Sequence, residues 1–209
     1  NRLRPELEKE FSEPLGHPLV IGPYKGLRPW GIAIGQTELK VGFKDNSTAS
    51  FEALNLKYAP IASLLNWRPV IVFNPKSTRI NLRSGESGSV WVAGPETEST
   101  PNIALWIRLN EPVKAFIHPS NIELTATGNT FFKLQEKKVT GSIHIGLPEN
   151  GSLLLKGSGL WGKWELQARA RLNRVRLNPL DALFVESSGL KSRGQLDGDL
   201  QLEIGKGGI

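Results

Sequence analysis

Apolar and polar residues alternate one by one along most of the chain. Leu39, Val41 and Phe43 alternate with Lys40, Gly42 and Lys44. Ile103, Leu105, Ile107 and Leu109 alternate with Ala104, Trp106, Arg108 and Asn110, and Ile122, Leu124 and Ala126 with Glu123, Thr125 and Thr127. The longest run sets Trp164, Leu166, Ala168, Ala170 and Leu172 against Glu165, Gln167, Arg169, Arg171 and Asn173. Leu200, Leu202 and Ile204 repeat the theme beside Gln201 and Glu203, as do Ile143 and Ile145 within residues 142–147, and Leu153 and Leu155 within residues 152–156. A period of two predicts strands with one dry face and one wet face.

The segments between these runs carry turn chemistry. Asn150-Gly151 lies between two runs and predicts a hairpin. Asp45-Asn46-Ser47 separates two more runs, as does Ser84-Gly85-Glu86-Ser87-Gly88. Leu172 and Val175 have opposite parity, so a bulge or turn is expected at Asn173-Arg174. Only three stretches read as helical. Residues 2–15 place Leu3, Leu7, Phe11 and Leu15 on one stripe, with Glu6, Glu10 and Glu13 elsewhere, and Pro14 and Gly16 to end the helix. Two short clusters, Ile61-Ala62-Ser63-Leu64-Leu65 after Pro60 and Leu180-Asp181-Ala182-Leu183-Phe184 after Pro179, predict brief helices.

The expected architecture is therefore mainly β: an N-terminal amphipathic helix over residues 1–15, then a largely antiparallel sheet of about ten strands with two short helices over residues 16–209. Something must cover the dry face, and three short helices are too few. Either the sheet closes on itself as a sandwich or barrel, or it curls into an open trough filled by a ligand. Alternation alone is compatible with both.

Composition narrows function mostly by exclusion. There is no Cys in the 209 residues, which removes disulfides and thiolate metal sites. No apolar stretch approaches the ~20 residues that span a bilayer. There is no Met, and residues 205–208 read Gly-Lys-Gly-Gly, so the chain is expected to be a piece of a longer protein. The net charge of +6 is dispersed; its densest group is Arg169, Arg171, Arg174 and Arg176, without any nucleic-acid-binding motif around it. Gly157-Ser158-Gly159-Leu160-Trp161-Gly162 matches a dinucleotide fingerprint, and residues 157–163 match most of a P-loop. Both motifs must open a helix, whereas strand alternation follows here, and Trp164 stands where Mg²⁺ needs Ser or Thr. His17, His118 and His144 lack neighbours at ligand spacing, and Asp197 and Asp199 fall on a polar strand face. The expectation is a non-catalytic module with no metal and no cofactor.

The opening of the chain resembles the AsmA-like proteins, the TamB branch in particular. The resemblance rests on a helix ending at Leu15-Gly16-His17-Pro18-Leu19-Val20-Ile21-Gly22 and then Leu27-Arg28-Pro29-Trp30-Gly31-Ile32-Ala33-Ile34-Gly35. Residues 49–82 follow with a strand, a short Leu-Leu helix and a strand. Gly194-Gln195-Leu196-Asp197-Gly198-Asp199-Leu200 is similar to the G-x-L-x-G-x-L steps of TamB repeats. The spacing around Trp30 and Gly35 looks more like that of cyanobacterial and plastid members than of proteobacterial ones. The family's N-terminal membrane helix is not in the sequence.

The resemblance implies an elongated, curled "β-taco" whose apolar trough carries phospholipid between membranes. The implied protein sits in the periplasm or plastid intermembrane space. It is anchored in the inner membrane and reaches an Omp85-type outer-membrane barrel. The implied trough residues are Leu39, Val41, Phe43, Ile103, Leu105, Ile107, Leu109, Ile122, Leu124, Ile143, Ile145, Leu153, Leu155, Leu166, Ala168, Ala170, Leu172, Leu200 and Leu202. No nucleic-acid partner is expected. Two other readings stay open: a scaffold binding partner strands at its sheet edges, in barrel assembly or plastid protein import, and a polar-ligand module built on Trp106, Arg169 and Arg171.

Overall fold

A computed structural model describes residues 3–83, 91–92, 101–118, 122–160, 165–176 and 194–204. The elements, in chain order, are α1 (Leu3–Leu15), β1 (Leu19–Val20), β2 (Tyr24–Arg28), β3 (Gly31–Ile34), β4 (Thr37–Leu39), β5 (Thr48–Tyr58), α2 (Pro60–Asn66), β6 (Val70–Arg83), β7 (Ala104–His118), β8 (Ile122–Lys133), β9 (Lys138–Gly146), β10 (Ser152–Leu160), β11 (Glu165–Arg176) and β12 (Gln195–Ile204). The strands form one 12-stranded sheet. Its path runs β1-β4-β5-β6-β7-β8-β9-β10-β11-β12, and the β2–β3 hairpin joins β5 beside β4.

From β7 to β12 each strand pairs antiparallel with the next, as the meander pattern predicts. The expected bulge falls between Leu172 and Val175, with Arg174 at φ 51°. The Asn150-Gly151 hairpin forms through a short 3₁₀ turn, Pro148–Asn150, closed by Leu147 N–H donating to Gly151 O at 2.8 Å. Asp45 Oδ1 accepts Ser47 N–H at 2.8 Å, which makes the Asp45-Asn46-Ser47 segment an Asx turn.

Two expectations need correction. The sheet is not antiparallel throughout: β6 and β7 run parallel, Val70 beside Ala104 and Arg83 beside His118. Residues 84–103 separate these strands, a connection long enough for the return that parallel pairing requires. Val41 and Phe43 do not extend the strand of Leu39. Lys40 N–H goes to Pro18 O and Phe43 N–H to Gly16 O, so the chain leaves the ladder after Leu39 and both side chains are exposed. Helix α1 sits against the edge strand β1 through its polar side. Leu7, Phe11 and Leu15 face outward, while Glu8 and Ser12 turn toward β1, accepting the Ile21 and Leu19 amides at 2.7 and 2.8 Å. That contact occupies amides on the edge of the sheet, where unpaired donors would otherwise face outward. The second predicted stub, 180–184, and the Ser84–Gly88 turn lie outside the described residues.

No second layer of strands or helices covers the sheet among the described residues. The buried apolar side chains there are mostly Ala and Val, such as Ala104, Val70 and Val175, and not the large residues that fill a sandwich. The accessible surface is 14078 Å², roughly half as much again as the ~9,600 Å² usual for a compact chain of this mass. The dry face stays half wet.

Candidate functional site

Register turns the strand periodicity into a surface. Val113, Ala126, Ile145, Leu153 and Leu172 form one row across β7 to β11. The next row is Leu109, Gly128, Ile143, Leu155, Ala170 and Leu200. Then come Ile107, Thr130, Gly141, Gly157, Ala168 and Leu202, followed by Leu105, Phe132, Val139, Gly159 and Leu166. A further row continues through Leu124, Ala115, Ile80, Ala49 and Leu39. Side chains on one row sit about 4.5–5.5 Å apart at Cβ, so the rows are largely apolar, broken by Gly128, Thr130, Gly141, Gly157 and Gly159.

Most of the expected trough residues meet on these rows. Leu105, Ile107, Leu109, Leu124, Ile143, Ile145, Leu153, Leu155, Leu166 and Leu172 are half-buried, while Ala168, Ala170, Leu39 and Ile122 are buried. Leu200 and Leu202 are exposed at 49% and 41%, so the stripe reaches β12 without a cover. Ile103 lies just ahead of β7, where its carbonyl accepts Leu134 N–H at 3.2 Å. Val41 and Phe43 are off the rows. Gly157 and Gly159 sit within the stripe because nothing larger fits. A Cβ on Gly159 would come 2.1 Å from Glu165 O, and one on Gly157 2.6 Å from Gln167 O.

Away from its β6–β7 end, where Val70, Val72 and Ala104 are buried, the opposite face is largely polar and carries its own contacts. The Arg108 guanidinium lies 3.6 Å above the Trp106 ring, and Phe131, the β8 partner of Trp106, meets that ring edge-on at 6.2 Å. Arg171 donates to Asp199 through Nε at 2.7 Å and a second nitrogen at 3.4 Å. That hydrogen bond, opposed by desolvation, holds the Asp199 carboxyl below the usual range and raises Arg171. A shallow depression of about 490 Å³ lies between Lys156, Arg169, Arg171, Asp199 and Gln201. Trp106 does not join it. The row through its neighbour Arg108 reaches Arg169 only after Asn129, Ser142 and Lys156, four strands or about 19 Å away.

A buried polar cluster lay outside the sequence expectation. His17, fully buried, places Nδ1 2.9 Å from Lys40 O and Nε2 3.3 Å from Asp45 Oδ2. Asp45 also accepts Val92 N–H at 2.7 Å, so one carboxylate ties the chain start to residues 91–92. A Cβ on Gly42 would meet the His17 ring at 2.7 Å, which explains a glycine there. His17 and Asp45 are 28 positions apart, and no local spacing signals their meeting. Ser47, whose amide donates to Asp45, accepts the Arg83 amide through its Oγ at 3.0 Å. The cluster clamps chain segments together.

Among the described residues no group of three His, Cys, Asp or Glu side chains is placed to hold a metal ion, and no helix is long and apolar enough to cross a membrane. No family model, curated protein or solved structure matches the chain.

Proposed function

We propose that the apolar face of this sheet shelters phospholipid acyl chains, as a module of a periplasm-spanning lipid-transfer conduit of the TamB kind. The observation that carries the reading is the set of largely apolar rows from β7 to β12, mostly half-buried, with no covering layer among the described residues. Exposed apolar surface on this scale marks a binding surface in a soluble setting. A phospholipid carries about thirty methylene groups, each worth roughly 0.8 kcal/mol when shielded from water. A stripe running across six strands offsets much of the cost of leaving a bilayer; one or two strands would not.

In the full protein the conduit is anchored in the inner membrane, reaches an Omp85-type barrel in the outer membrane and supports outer-membrane biogenesis. The module performs no catalysis: it lowers the barrier to transfer by keeping acyl chains out of water along the path. Native mass spectrometry of the purified protein tests this. Co-purified phospholipid is expected, and a lipid-free protein that takes up none from vesicles would overturn the reading.

A further inference from the structure

Helix α2 is built inside out. Its buried residue is the polar Ser63, whose Oγ donates to Ala59 O at 2.7 Å and accepts Val70 N–H at 2.8 Å. Ile61, Leu64 and Leu65 point away from the protein, 76%, 69% and 76% exposed. Trp67, which ends the helix, is 88% exposed. A helix that packs on its own domain does the reverse.

The same end of the sheet presents a second exposed tryptophan. The β2–β3 turn holds Trp30 at 68% exposure, and Tyr58 N–H, just before α2, donates to Trp30 O at 2.6 Å. Ala59 N–H donates to Val70 O at 2.9 Å and closes the loop that carries α2. Both tryptophans adopt left-handed backbone, Trp30 at φ 65° and Trp67 at φ 53°. Bulky residues occupy that region only when the surroundings enforce it, and such strain concentrates at functional positions.

Charge names the occupant. Arg28, Gly31 and Lys57 share one register row across β2, β3 and β5, which puts two cations about 10 Å apart beside these tryptophans. Arg28 and Lys57 form no ion pair among the described residues, and both are exposed. The nearby Glu136 is neutralised by Arg68 at 2.5 Å, with Lys138 and Lys133 at 3.5 and 3.8 Å. Aliphatic side chains and indoles flanked by unpaired cations match the boundary of an anionic bilayer, where indoles settle among headgroups and cations meet phosphate. A second copy of the chain would set the same basic row against itself.

We propose that Ile61, Leu64, Leu65, Trp67 and Trp30, with Arg28 and Lys57 at their flank, dock this end of the sheet onto an anionic lipid bilayer. The docking surface does not depend on the conduit reading, though the row Leu105–Ile71–Tyr58 brings the apolar stripe to the same end.

Flotation with phosphatidylcholine–phosphatidylglycerol vesicles, and with phosphatidylcholine alone, tests it. The wild type is expected to float with the anionic vesicles, and less as salt rises. Leu64→Ser with Trp67→Ser should weaken binding on the order of tenfold or more, with an unchanged circular dichroism spectrum because both side chains are exposed. Arg28→Gln with Lys57→Gln should remove the preference for anionic vesicles. Wild type that fails to float, or a Leu64→Ser/Trp67→Ser variant that floats equally well, overturns the proposal. So does a variant that abolishes self-association of a protein that never binds vesicles. A protein that floats yet carries no phospholipid counts against the conduit alone.

Discussion

The His17 imidazole stacks on the Trp91 indole, ring centroids 4.0 Å apart and planes inclined by 29°. The stack and the Asp45 hydrogen bonds hold the chain start, the turn before β5 and residues 91–92 as one unit. His17→Ala would leave Lys40 O without its donor and open a buried void, a loss of about 2–4 kcal/mol. Asp45→Ala, which strands two backbone amides, should cost a similar amount, and the double variant should cost less than the sum because the two side chains share the contact. Urea unfolding of the three variants measures this.

Parity of β11 separates its two faces. Arg169 and Arg171 are exposed while Ala168 and Ala170 are buried. Replacing both arginines with Gln should change stability by less than about 1 kcal/mol, since exposed ion pairs contribute little, and should leave bound phospholipid unchanged. Ala170→Asp should cost several kcal/mol by placing a charge on the dry stripe. Loss of a bound ligand in the Gln pair, with no lipid recovered from any variant, would favour a polar-ligand module.

Leu166 lies at the half-buried end of β11, where Gly159 stands beside it. Leu166→Asp is expected to fold and to lose most of its phospholipid, because a charge there draws water into the stripe. Mass spectrometry of lipid extracts decides it: equal lipid in a folded variant contradicts the conduit at this position.

Glu136 couples α2 to the β8–β9 turn. Desolvation opposes its ionisation, but the Arg68 hydrogen bond, with Lys133 and Lys138, holds the carboxyl below its ordinary value. A lowered folded value stabilises above the ordinary glutamate range, near 4.3, and that stability is lost as pH falls through the folded value. The melting temperature of the wild type should therefore exceed that of Glu136→Gln by a small, constant margin from neutral pH to about pH 5. The margin should close in more acidic solution; one that widened there would contradict the assignment.

Strand periodicity and turn chemistry are local, which is why they were legible in the chain alone. Ala168, Ala170 and Leu172 declared a dry face within one strand, and the parity switch to Val175 placed the bulge, because neighbouring side chains of a strand must point opposite ways whatever the strand pairs with. Pairing between distant segments has no such local signature. Only tertiary structure set β6 parallel to β7, turned Val41 and Phe43 off the ladder, brought His17 to Asp45, and put the apolar residues of α1 and α2 outside. At Val41 and Phe43, in α1 and in α2, backbone amides found partners outside the local strand or helix, and satisfying them outweighed the apolar pattern nearby.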